Sequence, residues 1–473
     1  MNASNSGDVS SANRWRTLSV IPRQYTAAWN AALRTCEAWI DAEPNDNAPW
    51  WLLNVLPIRL LRNERRGGKA SRHGQLPARL AAFARGEWAD LWNTALKDAT
   101  ADTAAPRRHA AAEDVTEDEE ASRNLKRANT LASNGRYSAA LAVYDNLGIA
   151  PPDDSTVAKL RDLHPEEIRG IPDSQLPRGV EWAKNLDFTS SDVLKAIASS
   201  PRRRSEDSYG WRAEFMQASL GDTETLEALT RIFRRICRGE LPAKAAANFS
   251  GARIIALNKP PPRAGIRPIG VPLVLRRIAG RVITGKYRSH WADKLISCGG
   301  RVVQFAVGRK AGSQAVAIAG QETLALHPTH GATIVDIEAA FQCVTRGQMA
   351  DGVAECPEGG GREALAFLIM LYKREAKLSY HSDDGEVTIL GKTGCTQGCA
   401  LGMQFFCLAI QPLLRAAAEH GKKCTILGIA DDVTIIGPRE QRVAVTNALV
   451  QLFANQNLTV RKLNDLAGVD ESP

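Results

Sequence analysis

The sequence predicts an α+β protein, and three features of its 473 residues lead to that prediction. The first hundred residues place apolar side chains at helical spacing. From about residue 252 onward, short β-type runs alternate with further helical segments. The composition is that of a globular protein, with 44% apolar and 24% charged residues, which disfavours disorder and a fibrous structure. A chain of this length usually forms two or three domains.

The N-terminal part is expected to be mostly helical. Residues 1–13 have the Ser- and Asn-rich composition of a disordered tail, and residues 14–100 form a helical region. Its apolar side chains predict a helical core containing Trp50, Trp51, Leu80, Phe83, Trp88, Leu91 and Trp92. Residues 101–122 are interpreted as a linker, because six of the eight residues from 113 to 120 are acidic. Residues 123–187 predict a helical hairpin and a Pro-rich connector.

Basic charge is concentrated in one segment of the next region, residues 188–330. Residues 201–310 contain 22 Lys and Arg against 8 Asp and Glu, a net charge of +14, whereas the whole chain carries +8. One helix near residues 223–240 has a face of arginines that we expect to be solvated: Arg231, Arg234, Arg235 and Arg238. Two strands are expected to flank a turn at 260–265. The positive charge of residues 201–310 favours a phosphate-binding surface, and an ordinary solvated basic face is the alternative.

Three carboxylates in residues 331–473 stand at the ends of β-type runs. Asp336 ends the run GATIVD, and the pair Asp431-Asp432 separates two apolar strands of a predicted hairpin. Hairpin turns usually contain Asn-Gly or Asp-Gly, and two adjacent carboxylates repel each other. A cation would offset this repulsion, and Mg²⁺ prefers such oxygen ligands together with substrate phosphates. We therefore expect the three aspartates to converge on one magnesium site, although an exposed turn is the simpler interpretation of the Asp-Asp pair alone.

Six motifs in order give the chain a resemblance to a known family. The segments ALNKP, GIRPIGVP, QFAVGRKAG, DIEAAF, GCTQGCALG and ADD resemble the fingers and palm of reverse transcriptases of the non-LTR retrotransposon type, over about residues 205–464. The resemblance implies fingers at 188–330 and a palm with an antiparallel sheet at 331–473. It also implies that the thumb is absent, because only 41 residues follow Asp432.

The resemblance assigns catalytic and metal-binding roles residue by residue. Asp336 and Asp431 match the aspartates that bind two Mg²⁺ ions, for which Mn²⁺ could substitute, and Asp432 matches a supporting carboxylate. Ile337 would contribute only its backbone. Phe341 matches the aromatic residue that excludes a 2′-OH and so favours dNTPs.

The resemblance also assigns nucleotide contacts. Arg267 and Lys259 match positions that contact the triphosphate, and a guanidinium suits phosphate oxygens. Gln397 and Gly398 match the loop that packs against template and nucleotide. Gly402 would allow close backbone approach.

Some positions depart from the family pattern. Ile429 replaces an aromatic residue before the Asp pair, and Cys399 stands where Asp or Ser is common. The last motif, NLTVRKLNDLAG, matches poorly. Lys462 is a candidate for the general acid that protonates pyrophosphate.

The expected function is therefore that of an RNA-directed DNA polymerase, which adds dNTPs to a DNA or RNA primer on an RNA template. Two alternatives stay open. A truncated retroelement remnant would bind nucleic acid without polymerising, and an RNA-directed RNA polymerase would share the palm. Phe341 favours the DNA polymerase over the latter.

Other classes of protein are disfavoured by the sequence. No apolar run is long enough to span a bilayer and the N-terminus lacks a signal-peptide core, so we expect a soluble, intracellular protein without a membrane partner. The nucleus is a plausible compartment for a retroelement enzyme, although no sequence signal shows it. Nine cysteines without a CxxC pair disfavour disulfides and a zinc site.

Overall fold

Twenty α-helices and ten strands make up the computed structural model, which describes residues 16–63, 74–103, 117–133, 135, 137–141, 143–144, 148–259 and 265–466. The tail predicted at 1–13 lies outside these residues. The first ten helices are α1 Thr26–Ala42, α2 Asn47–Asn54, α3 Leu56–Leu61, α4 Leu76–Ala84, α5 Trp88–Thr103, α6 Glu117–Ser133, α7 Tyr137–Leu141, α8 Asp154–Asp162, α9 Gln175–Ala183 and α10 Ser190–Ala198. The other ten are α11 Ala213–Gln217, α12 Thr223–Cys237, α13 Ala243–Ser250, α14 Val274–Lys294, α15 Gly312–Leu326, α16 Ala340–Cys343, α17 Arg346–Ala354, α18 Leu365–Tyr372, α19 Gly402–Ala418 and α20 Arg439–Ala454.

The strands form two sheets of mixed direction. They are β1 Ala252–Asn258, β2 Ile266–Pro272, β3 Ile296–Ser297, β4 Val302–Gln304, β5 Gly331–Ile337, β6 Ala376–Ser382, β7 Gly385–Gly391, β8 Thr425–Ile429, β9 Asp432–Gly437 and β10 Val460–Leu466. One sheet has the order β2-β1-β6-β7 and the other β10-β5-β9-β8-β4-β3. Most neighbours are antiparallel, but β1–β6 and β4–β8 are parallel, so the sheet predicted to be antiparallel is mixed.

The predicted boundary at residue 330 does not divide the sheets. The four-stranded sheet joins β1 and β2 to β6 and β7, and the six-stranded sheet takes β3 and β4 from before that boundary. Strand pairing is long-range, so a boundary drawn from local composition cannot follow it. The hairpin predicted around 260–265 is confirmed by the antiparallel pairing of β1 with β2, whereas residues 260–264 are outside the described part.

The N-terminal helices share one apolar core with the rest of the chain. Trp29 of α1 is fully buried, packs edge-on against Trp211 and donates its indole N–H to the Phe215 carbonyl at 3.2 Å. The predicted core tryptophans Trp50 and Trp92 are buried in the same cluster. The helical region at 14–100 is therefore packed against the part of the chain that follows residue 188.

The arginines of α12 lie at the surface, with Arg231 exposed and the other three partly buried, but they also bind groups of the protein. Arg231 donates two hydrogen bonds to the Glu37 carboxylate at 2.6 and 2.9 Å, and Arg235 pairs with Asp41 at 2.8 Å. Both acidic residues lie one turn apart on α1, which matches the one-turn spacing of the arginines on α12. Arg234 and Arg238 donate to backbone carbonyls of the connector. Part of the +14 charge thus binds α1 and the connector instead of an external phosphate.

The acidic linker is shorter than predicted. Helix α5 continues to Thr103 and α6 begins at Glu117, so the ends of the 101–122 segment are helical, and residues 104–116 are outside the described part. Carboxylates favour the first turn of a helix because they face the positive end of its dipole.

Within the described part, no helix combines the length and apolar character needed to cross a membrane.

Candidate active site

The three aspartates predicted to converge lie together at one end of the six-stranded sheet. Strands β5 and β9 pair so that Asp336 lies directly opposite Asp432, and β8 and β9 form a hairpin in which Ile429 pairs with Asp432. Only Ala430 and Asp431 are left for the turn. The sequence-based placement of both aspartates in the turn is thus wrong for Asp432, which is the first residue of β9. The convergence of the three residues is as predicted.

A buried glutamine holds this turn. Ala430 has a φ of 56°, a left-handed conformation that costs about 1–3 kcal/mol for a residue with a Cβ. Gln304, fully buried at the end of β4, accepts a hydrogen bond from the Ala430 N–H at 2.8 Å and donates one to the Ala430 carbonyl at 3.2 Å. The two bonds stabilise the strained residue and thereby fix the backbone that carries Asp431.

Asp336 and Asp431 face a pocket between the two sheets with a cavity volume of about 80 Å³. The side chains around it combine acidic, basic and amide groups. They are Leu163, Lys259, Ile266, Arg267, Pro268, Asp336, Ile337, Glu338, Ala339, Ala340, Gln342, Gln397, Asp431 and Arg461. Six residues predicted from the sequence to form the site therefore line one pocket, and Asp432 lies next to it in the strand.

The basic wall of the pocket comes from the β1–β2 hairpin. Arg267 is the second residue of β2 and pairs with Leu257, and Lys259 follows the end of β1, where its N–H bonds to the Gly265 carbonyl at 3.0 Å. The structure thus sets two cations against two carboxylates, an arrangement suited to a ligand that carries phosphate groups and metal ions.

The charges around the pocket influence one another. Burial is the main factor that raises the pKa of Asp431, the negative charges of Asp432 and Asp336 raise it further, and Arg267 lowers it. The carboxylate of Asp431 is therefore held in a half-buried place that disfavours its negative charge. A cation bound between Asp336 and Asp431 would remove this penalty.

The loop before α19 contacts the end of β2 at very short range. The Gly270 N–H donates to the Gln397 carbonyl at 2.6 Å, and Gly398 adopts a φ of 111°. A Cβ on Gly398 would lie 2.2 Å from the Gly270 carbonyl oxygen. Gly398 is therefore the position where close backbone approach is needed. At Gly402, to which the sequence analysis assigned that role, a Cβ would meet only ordinary contacts at 3.4 Å and beyond.

Phe341 lies beside the pocket without lining it. Its ring is half-buried and stacks on Phe406 with ring centres 4.9 Å apart, while its neighbours Ala340 and Gln342 line the pocket. The proposed contact of Phe341 with a sugar 2′ position stays a prediction. The side chain of Lys462 falls outside the described part of the chain, so its suggested role as an acid is likewise untested.

The donor set fits a metal shared with a substrate better than one held by protein alone. Across the described residues, no three His, Cys, Asp or Glu side chains are grouped closely enough to hold an ion by themselves. Mg²⁺ commonly binds one or two carboxylates and takes its other ligands from water and phosphate. Asp336, Asp431 and the Ile337 backbone meet that requirement, since all three residues line the pocket.

Several of the pocket residues were not predicted from the sequence, among them Leu163, Glu338, Gln342 and Arg461. Glu338 and Gln342 follow Asp336 within the motif DIEAAFQ, so their proximity could have been inferred. Leu163 follows α8, which packs against β2 and β7, and no local pattern shows this. The position of Arg461 at the pocket depends on an irregularity in the pairing of β10 with β5.

No protein-family model matches this chain, and no curated protein is similar to it. The resemblance to reverse transcriptases therefore depends on the six motifs alone.

Proposed function

We propose that this protein is an RNA-directed DNA polymerase of the retroelement type, with fingers and a palm built around the pocket. The observation that supports the proposal most strongly is the pocket itself. It combines Asp336 and Asp431 with Arg267, Lys259 and Gln397, which come from separate motifs spread over more than 170 residues of sequence. Chance resemblance of separate motifs gives no reason for them to meet at one place.

Each residue has a part in nucleotide addition. Asp336, Asp431 and the Ile337 carbonyl would hold two Mg²⁺ ions, which supply activation of the primer 3′-OH and charge stabilisation at the leaving pyrophosphate. Arg267 and Lys259 bind and orient the triphosphate from the opposite wall. Asp432, paired across the strands with Asp336, adds negative charge beside the ligands. Gln397 and Gly398 support the base pair formed with the template.

Two other functions compete with this one. A remnant that binds nucleic acid without catalysis has no need of neighbouring carboxylates at a half-buried turn, where the raised pKa of Asp431 reflects the penalty of keeping them. An RNA-directed RNA polymerase would use the same carboxylates. The Phe341 ring does not line the pocket, so the choice between dNTPs and NTPs rests on the family resemblance at that position and is decided by the assay below.

Extension of a labelled primer on an RNA template tests the proposal. The full chain is incubated with Mg²⁺ and either dNTPs or NTPs, with a DNA primer and an RNA primer in separate reactions. We expect extension with dNTPs on the RNA template. Extension with NTPs would favour the RNA polymerase, and binding of primer–template without extension in Mg²⁺ or Mn²⁺ would favour the non-catalytic remnant.

A further inference from the structure

The pocket contains one basic residue on its palm side, Arg461, that was not predicted from the sequence. Strand β10 pairs with β5 so that Val460 lies opposite Ile337 and Lys462 lies opposite Asp336. Arg461 stands between them at a register shift and has no partner residue in β5. A bulge of this kind redirects the extra side chain, and such bulges are frequent beside active sites. Here the redirected residue is Arg461, which lines the pocket.

The guanidinium of Arg461 is available to a ligand. Its residue is exposed, and within the described part of the chain it makes no hydrogen bond or ion pair. By contrast, the arginines of α12 are held by carboxylates and backbone carbonyls. An arginine that faces a pocket with its donor fork unengaged is suited to planar, two-point binding of phosphate oxygens.

The charge balance of the pocket points to the same ligand. Three acidic side chains line it, Asp336, Glu338 and Asp431, and three basic ones, Lys259, Arg267 and Arg461. Two of the cations belong to the β1–β2 hairpin and the third to β10. A triphosphate bound with two divalent ions is close to neutral as a whole, so it can enter such a balanced pocket while its phosphates contact cations on both sides.

We infer that Arg461 binds phosphate oxygens of the incoming nucleoside triphosphate from the palm side, opposite Arg267. The inference rests on the proposed function, since it names a further substrate-binding residue of the same site. Phosphate is the expected contact because Arg461 follows the residue paired with Ile337, next to the carboxylates that would hold the phosphate-bound ions. The base would instead be held by its pairing with the template.

Binding of a non-hydrolysable nucleotide tests this inference without requiring turnover. The full chain, bound to primer and RNA template, is titrated with the α,β-imido analogue of dTTP in Mg²⁺. Arg461→Ala should raise Kd roughly 10- to 100-fold, because it removes charge-assisted hydrogen bonds. Arg461→Lys should recover part of the affinity, since it restores the charge without the fork. Arg439→Ala is the matched control, because Arg439 is exposed at the start of α20 and does not line the pocket.

The outcomes separate this inference from the proposed function. Weaker binding in Arg461→Ala with an unchanged melting temperature and unchanged binding in Arg439→Ala supports the inference. If the unsubstituted chain binds the analogue and Arg461→Ala binds it equally well, the inference is wrong and the proposed function stands. If the unsubstituted chain does not bind the analogue at all, both fail together.

Discussion

The β6–β7 and β8–β9 hairpins each carry an Asp-Asp pair at the connection between their strands. Asp383 and Asp384 are exposed and are followed by Gly385, whose φ of 123° suits a turn. Asp431 is half-buried, faces the pocket and follows a strained Ala430 in place of a glycine. The dipeptide is the same in both hairpins, so the dipeptide alone does not make a site.

The position of each hairpin in its sheet explains the difference. Strand β7 is an edge strand of its sheet, whereas β8 and β9 are flanked by β4 and β5. The flanking strands supply what the first hairpin lacks: Gln304 from β4 holds the turn, and Asp336 from β5 faces Asp432. An Asp-Asp pair becomes a candidate metal site when neighbouring strands add a third carboxylate and a buried support.

The largest expected effect comes from removing charge from the pocket-facing pair. Asp431→Asn and Asp336→Asn should each lower the rate of single-nucleotide incorporation by about 10³-fold or more, because each removes a negative ligand needed to hold the metal ions. Rapid-quench primer extension measures the rate. Asp384→Asn, in the exposed hairpin, should leave it unchanged. Equal rates for Asp431→Asn and Asp384→Asn would mean that the two hairpins do not differ in function.

The carboxylates themselves were predictable from the sequence because their signal is local. Each lies at the end of an apolar β-type run, and strand pairing then brings the ends together. Arg267 and Gln397 came from the family resemblance. The bulge at Arg461 and the contact of α12 with α1 could not be predicted, since both depend on register and on partners far away in the sequence.

Arg267→Ala tests the basic wall opposite the aspartates. We expect KM for dNTPs to rise roughly 10- to 100-fold with a smaller change in kcat, because the lost contacts are hydrogen bonds to phosphate. Steady-state extension at varied dTTP concentration measures both constants. Arg267→Lys should lie between the alanine variant and the unsubstituted chain. A fall in kcat alone, with KM constant, would contradict a substrate-binding role.

Gln304→Leu tests whether the strained turn positions Asp431. Loss of both hydrogen bonds removes the support that Gln304 gives to the strained Ala430 backbone and frees the turn, and a displacement near 1 Å can cost about 100-fold in rate. We therefore expect kcat to fall roughly 10- to 100-fold in steady-state primer extension.

The control for Gln304 is another buried glutamine, Gln411 of α19, which donates to the Leu295 carbonyl and the Ser297 hydroxyl. Gln411→Leu should lower stability to a similar extent, measured by urea unfolding, without a comparable fall in kcat. If both variants lose activity in proportion to stability, Gln304 is only structural.

Asp207 is a buried carboxylate that does not line the pocket. Its oxygens accept hydrogen bonds from the N–H groups of Tyr209, Trp211 and Val274 at distances of 2.9, 3.0 and 2.6 Å. Burial raises the pKa of Asp207 to about 6, although these bonds and Arg277 favour the charged form. Between about pH 4 and pH 6, the folded state therefore keeps a proton on Asp207 that the unfolded state has already lost.

The smallest expected effect is a dependence of the free energy of unfolding on pH, caused by the titration of Asp207. Because the folded pKa is raised, the contribution of Asp207 to stability is greatest below about pH 4 and declines as pH rises to about 6, by at most about 3 kcal/mol. Urea unfolding at pH 4, 5, 6 and 7 should show this decline in the unsubstituted chain relative to Asp207→Asn. A difference between the two chains that stays constant over this range would show that Asp207 does not titrate there.

Anomalous diffraction from Mn²⁺ would locate directly the metal ions that the proposed function requires. Crystals of the full chain with primer, RNA template and the α,β-imido analogue of dTTP would be soaked in Mn²⁺. We expect two ions about 3.5–4 Å apart between Asp336 and Asp431, with the nucleotide phosphates toward Arg267, and none at Asp383-Asp384. Bound nucleotide without manganese at Asp336 and Asp431, or manganese at the exposed pair alone, would contradict this expectation.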